Sequence, residues 1–256
     1  MDDRADFLLM TDLTSSPSQA PTTLPRRVFL RVAGASAATA GLVLAGCGKD
    51  TPAPVVNSNV LYLGTTSTSA ADVDTSLINY LFLLKQLNAA FYQKVVDAPP
   101  TDLPANEKAF FADLRDHELV HRETLRYALG TKAYDAAAAQ PLAFDFSSLT
   151  LTTRAGVLAA AQQLEDLSVA AYAGTLRLVR TASPVALLAK ISSVEARHAA
   201  FFRDLQTPGS FAGDDVVINV GTLKSVSLAK TPAQVVAEAK AFFLPIVVST
   251  DLLPTA

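Results

Sequence analysis

The chain has 256 residues, 50% of them hydrophobic, which is enough for one domain with a buried core. It has 21 Lys and Arg against 24 Asp and Glu, so its formal net charge is −3, and the lack of a basic patch argues against a nucleic-acid-binding protein. Its single cysteine, Cys47, excludes an intramolecular disulfide.

The N-terminal segment is typical of an export signal. Arg26 and Arg27, followed by Val-Phe-Leu-Arg, resemble the twin-arginine motif, although Pro25 stands where Ser or Thr is usual. The residues before the arginines are largely polar, so Met10 is an alternative start to Met1.

The apolar run at residues 32–45 is too short to cross a bilayer as a mature helix. It ends in Leu-Ala-Gly-Cys, which resembles a lipoprotein cleavage box; the alternative is an ordinary secretory signal with a chance cysteine. We therefore predict a twin-arginine lipoprotein signal peptide at residues 1–46 and a lipid anchor on Cys47. Residues 47–71, rich in Thr, Ser and Pro, predict a flexible tether.

Four long helices are predicted from apolar residues that recur at steps of three and four. In the first helix this face consists of Leu77, Leu81, Leu84, Asn88 and Phe91. The helices are expected from Asp72 or Asp74 to Asp97, from after Pro104 to Gly130, from Thr152 or Thr153 to about Arg180, and from Ser183-Pro184 to near Leu205. We expect Gly130 to be a left-handed cap, and Ser183 to be a cap before a first-turn proline.

The remaining segments connect or cover these helices. Residues 131–150 are expected to cross between two helix pairs with some extended character, so the bundle spans residues 72–207. Thr231 and Gln234 form a capping box that predicts a short fifth helix. Residues 208–256 are therefore predicted as a C-terminal extension that packs on the bundle as structural cover.

Two segments about 80 residues apart repeat each other. Aligning Glu118 with Glu195 places His121 on His198, so each half carries Glu-x-x-His. Residues three apart share a helix face, and four-helix bundles build di-metal carboxylate sites from this motif. A solvated helix face is the weaker interpretation, because both motifs lie among apolar residues. The pattern predicts an all-α fold, a four-helix bundle made of two helix pairs.

The repeat also includes the predicted helix that precedes each motif. Aligning Tyr92 with Tyr172 places Lys85 where the second half has Glu165. Both tyrosines are predicted to pack in the core with a satisfied hydroxyl, with a redox role as the weaker alternative. His117 lies one position before the motif, some 100° round the helix, and is predicted to be a surface residue rather than a ligand.

The segments LINYLFLLKQLNAAFY, HELVHRETLRYALG, QQLEDLSVAAYAG and VEARHAAFFRDL, with TPAQVV in the tail, resemble the ferritin-like domain family. Its members include twin-arginine-exported bacterial proteins and plant desiccation-related proteins. The likeness covers roughly residues 72–245 and implies a ferritin-like bundle with one long crossover. The ligands it implies are Glu118, His121, Glu165, Glu195 and His198. The chain departs from the family at Lys85, where Glu is expected, and at Asn88, a position that is often acidic.

Lys85 changes the number of metal ions that the site can hold. Three carboxylates and one ammonium leave a charge of −2, which one divalent cation balances, whereas two cations would leave +2 beside a buried ammonium. Two protonated histidines would also balance it without metal. Alternatively, Lys85 extends along its stem to the end of the bundle, or is neutral because burial lowers its pKa. We predict one divalent transition metal ion, Fe, Mn or Zn, with none and two as alternatives.

These features predict a lipid-anchored ferritin-like protein of the cell envelope, facing the periplasm or the exterior, that binds a transition metal in stress protection or metal handling. The alternatives are a metal-free bundle that serves as a structural or interaction module, and a di-iron-type oxidase or peroxide scavenger, which Lys85 disfavours. The membrane is the expected partner through Cys47, and nucleic acid is not. A protein partner and a homo-oligomer are left open.

Overall fold

The computed structural model describes residues 59–138 and 141–255. The predicted signal peptide with Arg26 and Arg27, and the predicted lipid attachment residue Cys47, lie outside this part of the chain. The described helices are α1 (Ala70–Asp97), α2 (Ala105–Leu129), α3 (Arg154–Leu176), α4 (Val185–Gln206) and α5 (Pro232–Ala239). The strands are β1 (Val60–Tyr62), β2 (Val217–Val220), β3 (Leu223–Ser227) and β4 (Val247–Ser249), and short 3-10 helices lie at Gly130–Lys132 and Lys240–Phe243.

The four long helices form a bundle of two pairs, α1 with α2 and α3 with α4, as predicted. The apolar face predicted for α1 is buried along its whole length. Ser69 caps the start of α1 by accepting the backbone N–H of Asp72, and Thr153 caps α3 by accepting that of Gly156. The crossover from α2 to α3 begins with the first 3-10 helix and has no strand among its described residues.

Three predicted helix ends differ from the structure. Gly130 ends α2 with a φ of 55°, but its ψ of −127° lies outside the left-handed helical region. Helix α4 begins at Val185, so Pro184 is the cap residue and Ser183 is not. Helix α3 ends at Leu176 rather than near Arg180.

The early end of α3 has a tertiary cause. The buried carboxylate of Asp74 on α1 accepts the backbone N–H groups of Arg180, at 2.7 Å, and Thr181, at 2.9 Å, together with the Thr181 hydroxyl at 2.6 Å. Their acceptor, Asp74, lies on α1, more than 100 residues earlier in the chain. The link between α3 and α4 therefore stays non-helical, because a side chain of α1 provides its acceptors.

The segments around the bundle pack on it. The capping box at Thr231 and Gln234 opens α5 as predicted, and α5 packs against α3. Strand β1 pairs in parallel with β4, so the start and end of the described chain meet. Leu61 is buried beside this pairing. Within the region predicted as a tether, residues 47–71, the described part from residue 59 onward includes β1, and α1 begins at Ala70.

Candidate metal centre

Six side chains predicted to share one site meet inside the bundle. Each of the four long helices contributes at least one of them, and all six are buried. They are Lys85 from α1, Glu118 and His121 from α2, Glu165 from α3, and Glu195 and His198 from α4. The three-residue spacing of the two Glu-x-x-His motifs turns glutamate and histidine toward the same interior face. The structure therefore brings together all five predicted ligands and the lysine.

Lys85 lies at the centre of the cluster as a paired cation. Its Nζ is 2.7 Å from Oε2 of Glu118, and it also forms an ion pair and hydrogen bond with Oε2 of Glu195. Burial lowers the pKa of Lys85, but the negative charges of the carboxylates outweigh it and raise the pKa above its usual range. The side chain is fully buried, so the alternative in which Lys85 extends to the end of the bundle is wrong. The two carboxylates at its Nζ favour the charged lysine over the neutral one.

The other oxygen of each paired carboxylate faces the histidines. Nδ1 of His121 lies 2.8 Å from Oε1 of Glu195. Nδ1 of His198 lies 3.5 Å from Oε1 of Glu118 and 3.6 Å from Oε1 of Glu165. The cluster therefore has a lysine side, made of Oε2 atoms, and a histidine side, made of Oε1 atoms and Nδ1 nitrogens.

Charges within the cluster shift its titration. Burial lowers the pKa of His198, but hydrogen bonding to Glu118 and Glu165 outweighs burial and raises it to about 10. Burial also lowers the pKa of His121, but the carboxylates of Glu118 and Glu195 outweigh burial and raise it. Burial raises the pKa of Glu118, yet Lys85 and then the histidines bring it well below its usual range. Burial and the charge of Glu118 raise the pKa of Glu165. These shifts favour the protonated form of both histidines when no metal is bound.

The two repeat-related tyrosines differ in their hydroxyl partners. Tyr92 is fully buried and donates its hydroxyl to Oε1 of Glu165, as its predicted core role requires. Tyr172 is also fully buried, and its ring centroid lies 5.9 Å from Nζ of Lys85. Its hydroxyl has no hydrogen-bond partner among the described residues, so the predicted satisfied hydroxyl is wrong for Tyr172.

His117 is an exposed residue, as predicted, but it reaches the site from outside. Its Nδ1 lies 3.1 Å from Nε2 of His198, the ring nitrogen that points away from the carboxylates. Partial burial of the ring, followed by the charges of His198 and His121, lowers the pKa of His117. No pattern in the sequence predicts this contact, because His117 lies about 100° away from the motif face on its own helix.

The residues present fit one cation on the histidine side. Glu118, Glu195 and His198 each offer a ligand atom within 4.8 Å of the others. Several buried atoms there lack a well-aligned hydrogen bond among the described residues: Oε1 of Glu118 and Glu195, and Nδ1 of His121 and His198. Buried polar atoms are normally satisfied. A divalent metal ion held by Glu118, Glu195 and His198 would satisfy three of these atoms, with carboxylate and imidazole donors that suit iron, manganese or zinc.

One metal ion and two protons balance the same charge. Three carboxylates and Lys85 sum to −2, so one divalent ion with neutral histidines gives zero, and two protonated histidines without metal also give zero. A second ion has no comparable place, because the lysine ammonium already engages the Oε2 atoms of Glu118 and Glu195. The arrangement therefore supports either one ion or none.

A family model described as a ferritin-like domain matches residues 73–208, which is more than half of the chain. The match begins inside α1 and ends just after α4, so it covers all six residues of the cluster. No curated protein matches the chain.

Proposed function

Because the chain belongs to the ferritin-like domain family, we propose that it binds one divalent transition metal ion in its bundle, with the ammonium of Lys85 in place of a second ion. The ion would be held by Glu118, Glu195 and His198, with His121 and Glu165 beside it. Iron, manganese or zinc matches these donors. When bound, the ion supplies Lewis acidity and, if it is iron or manganese, one-electron redox chemistry.

A single observation carries this proposal. Lys85 engages Oε2 of both Glu118 and Glu195, while their Oε1 atoms remain on the histidine side. A second divalent ion would raise the cluster charge from zero to +2 beside a buried ammonium, and uncompensated buried charge is costly. Two-metal oxygen chemistry is therefore disfavoured, and with it the oxidase or peroxide-scavenging function.

The proposed cellular location is inferred from the N-terminal sequence. The twin-arginine-like Arg26-Arg27 pair and the Leu-Ala-Gly-Cys box at Cys47 support a lipid-anchored protein of the cell envelope that faces the periplasm or the exterior. The twin-arginine route carries folded cargo, which suits a protein that takes up its metal before export. We propose metal handling or stress protection as the role of this anchored site.

The second candidate is a metal-free bundle that serves as a structural or interaction module. It is favoured by the raised pKa values of His121 and His198, since two protonated histidines neutralise the cluster without metal. In this case the Glu, His and Lys side chains only fix how the four helices pack. Replacing such an ion cluster by apolar residues is often neutral for stability.

Metal analysis of Lys85 variants separates these functions. We expect about one ion per chain in the wild type and about two in Lys85→Glu, because the fourth carboxylate makes the cluster −4. Lys85→Gln removes the ammonium without adding a carboxylate and should keep about one ion. Lys94→Glu, at an exposed position of the same helix, is the matched control and should leave the content unchanged. The content is measured by elemental mass spectrometry after loading and gel filtration.

Two results would contradict the proposal. A wild-type chain that takes up no Fe, Mn or Zn, with a melting temperature indifferent to chelator, would favour the metal-free cluster. Unchanged metal content in Lys85→Glu would mean that the ammonium does not stand in for an ion.

A further inference from the structure

The rings of His117 and His198 meet in one plane. Nδ1 of His117 lies 3.1 Å from Nε2 of His198, the ring planes differ by 12°, and the ring centroids are 5.4 Å apart. The centroid separation equals the nitrogen separation plus the two ring radii, so the rings lie edge to edge with their nitrogens pointing at each other. This is the geometry of an N–H···N hydrogen bond between imidazoles, not of face-to-face stacking.

We infer that His198 donates its Nε2–H to Nδ1 of His117, and that His117 thereby holds Nδ1 of His198 toward the carboxylates as a positioning residue. A neutral imidazole carries one N–H. If Nδ1 of His198 binds an ion, the proton must be on Nε2, and it needs an acceptor. Histidines that bind metals almost always donate their second N–H in this way, usually to a carboxylate or carbonyl. Here the acceptor is another histidine.

Without metal, Nδ1 of His198 faces the carboxylates of Glu118 and Glu165, which only accept, so the direction is the same when both nitrogens of His198 carry hydrogens. The contact between the two nitrogens therefore stands independently of the proposed function, whereas its direction and its effect on metal affinity rest on that function.

The surroundings leave few substitutes for His117. The pair borders a surface pocket of about 190 Å³ whose apolar walls are Phe110, Leu114 and Phe201, with Phe110 and Phe201 in edge-to-face contact. These walls offer no acceptor to His198. Two charged residues, Asp113 and Arg197, also line the pocket. Asp113 is the one further acceptor among these side chains, so Asp113→Asn serves as a control.

The hydrogen bond can be observed directly by nuclear magnetic resonance of the ¹⁵N-labelled protein. A scalar coupling across the hydrogen bond should connect Nε2 of His198 with Nδ1 of His117, with the hydrogen attached to His198. Asp113→Asn should keep this coupling, and His117→Phe should lose it. In the zinc-loaded protein, a coupling with the hydrogen on His117, or no coupling, would overturn the inference.

Zinc titration of three variants tests the positioning effect. His117→Phe keeps an aromatic ring but no acceptor, and we expect its zinc affinity to fall about 10- to 100-fold, the usual effect of losing such a partner. His117→Gln keeps an acceptor oxygen and should retain most of the affinity, while Asp113→Asn should equal the wild type. Equal affinities in His117→Phe and wild type would overturn the positioning role. A wild type that binds no zinc would refute the proposed function, and the coupling in that metal-free protein would then test only the contact between Nε2 of His198 and Nδ1 of His117.

Discussion

At the scale of single residues, Lys85 decides the chemistry of the cluster. Its ammonium uses one oxygen of Glu118 and one of Glu195, so the remaining donors are arranged for a single cation. The same arrangement favours protonation of His198 and His121 when metal is absent. If the cluster binds metal as proposed, metal ions and protons compete for its histidine side, and metal binding should release protons.

The stability of the metal-free chain should fall as the pH rises. The pKa of His198 is about 10 in the folded protein against 6.5 for an unperturbed histidine, so the folded state holds this proton more tightly than the unfolded state. Its contribution to the free energy of unfolding is complete below about pH 6.5 and is lost as the pH approaches about 10. The raised pKa of Glu165 acts in the same direction.

Urea unfolding with chelator present measures this effect. The midpoint should decline between about pH 6.5 and about pH 10 in the wild type. His198→Gln should give a flatter profile, because it removes the group that titrates. A wild-type midpoint that does not change across this range would show that His198 is not held as a cation.

At the scale of secondary-structure elements, α3 is positioned by backbone contacts with the C-terminal extension. Lys230 donates its backbone N–H to the carbonyl of Ala170 at 3.0 Å. At Gly174, one turn further along α3, a Cβ atom would lie only 1.9 Å from the carbonyl oxygen of Lys230. The extension therefore lies directly against the backbone of the helix that carries Glu165.

Gly174→Ala should destabilise the protein, although the helix propensity of alanine predicts the opposite. In an exposed helix position this change stabilises by about 1 kcal/mol. Here the methyl group meets backbone, and forcing an extra group into a packed contact costs about 1–3 kcal/mol. We expect a net loss measured by urea unfolding.

Ala159→Gly provides the comparison for Gly174→Ala. Ala159 is exposed on the same helix, so this change should cost only the propensity difference of about 1 kcal/mol. A Gly174→Ala variant that is more stable than wild type would mean that the extension can move away from α3.

At the scale of the whole molecule, the described chain begins beside its own end. Strand β1 pairs with β4 from Val60 opposite Val247 to Tyr62 opposite Ser249. Within the described residues, no helix is long and apolar enough to span a membrane. The proposed lipid anchor, Cys47, lies in the segment before β1.

Cys47→Ala should leave an unprocessed precursor that does not partition into detergent, because the acceptor of the lipid is missing. Replacing Arg26 and Arg27 together by lysine should block export through the twin-arginine route. Both effects are measured by immunoblotting of fractionated cells. A Cys47→Ala chain of normal mature size that still associates with the membrane would rule out the lipid anchor.

The number of long helices and the residues that meet in the cluster were predictable from local periodicity and from the internal repeat. Apolar residues at three- and four-residue steps define the buried face of α1, and the Glu-x-x-His repeat marks His121 and His198 whatever the tertiary structure. The capping box at Thr231 is equally local, since donor and acceptor lie three residues apart. These features are confirmed in the structure, and the ferritin-like family match covers the bundle.

The end of α3 and the state of Lys85 depend on tertiary contacts, which join residues that are far apart in the chain. Helix α3 ends early because the carboxylate of Asp74 accepts hydrogen bonds from the backbone N–H groups of Arg180 and Thr181. Lys85 is a buried cation because helices α2 and α4 bring Glu118 and Glu195 to it from either side. Sequence alone left its charge and direction open, since burial and ion pairing shift a lysine pKa in opposite directions, and only the distances in the folded bundle determine which effect is larger.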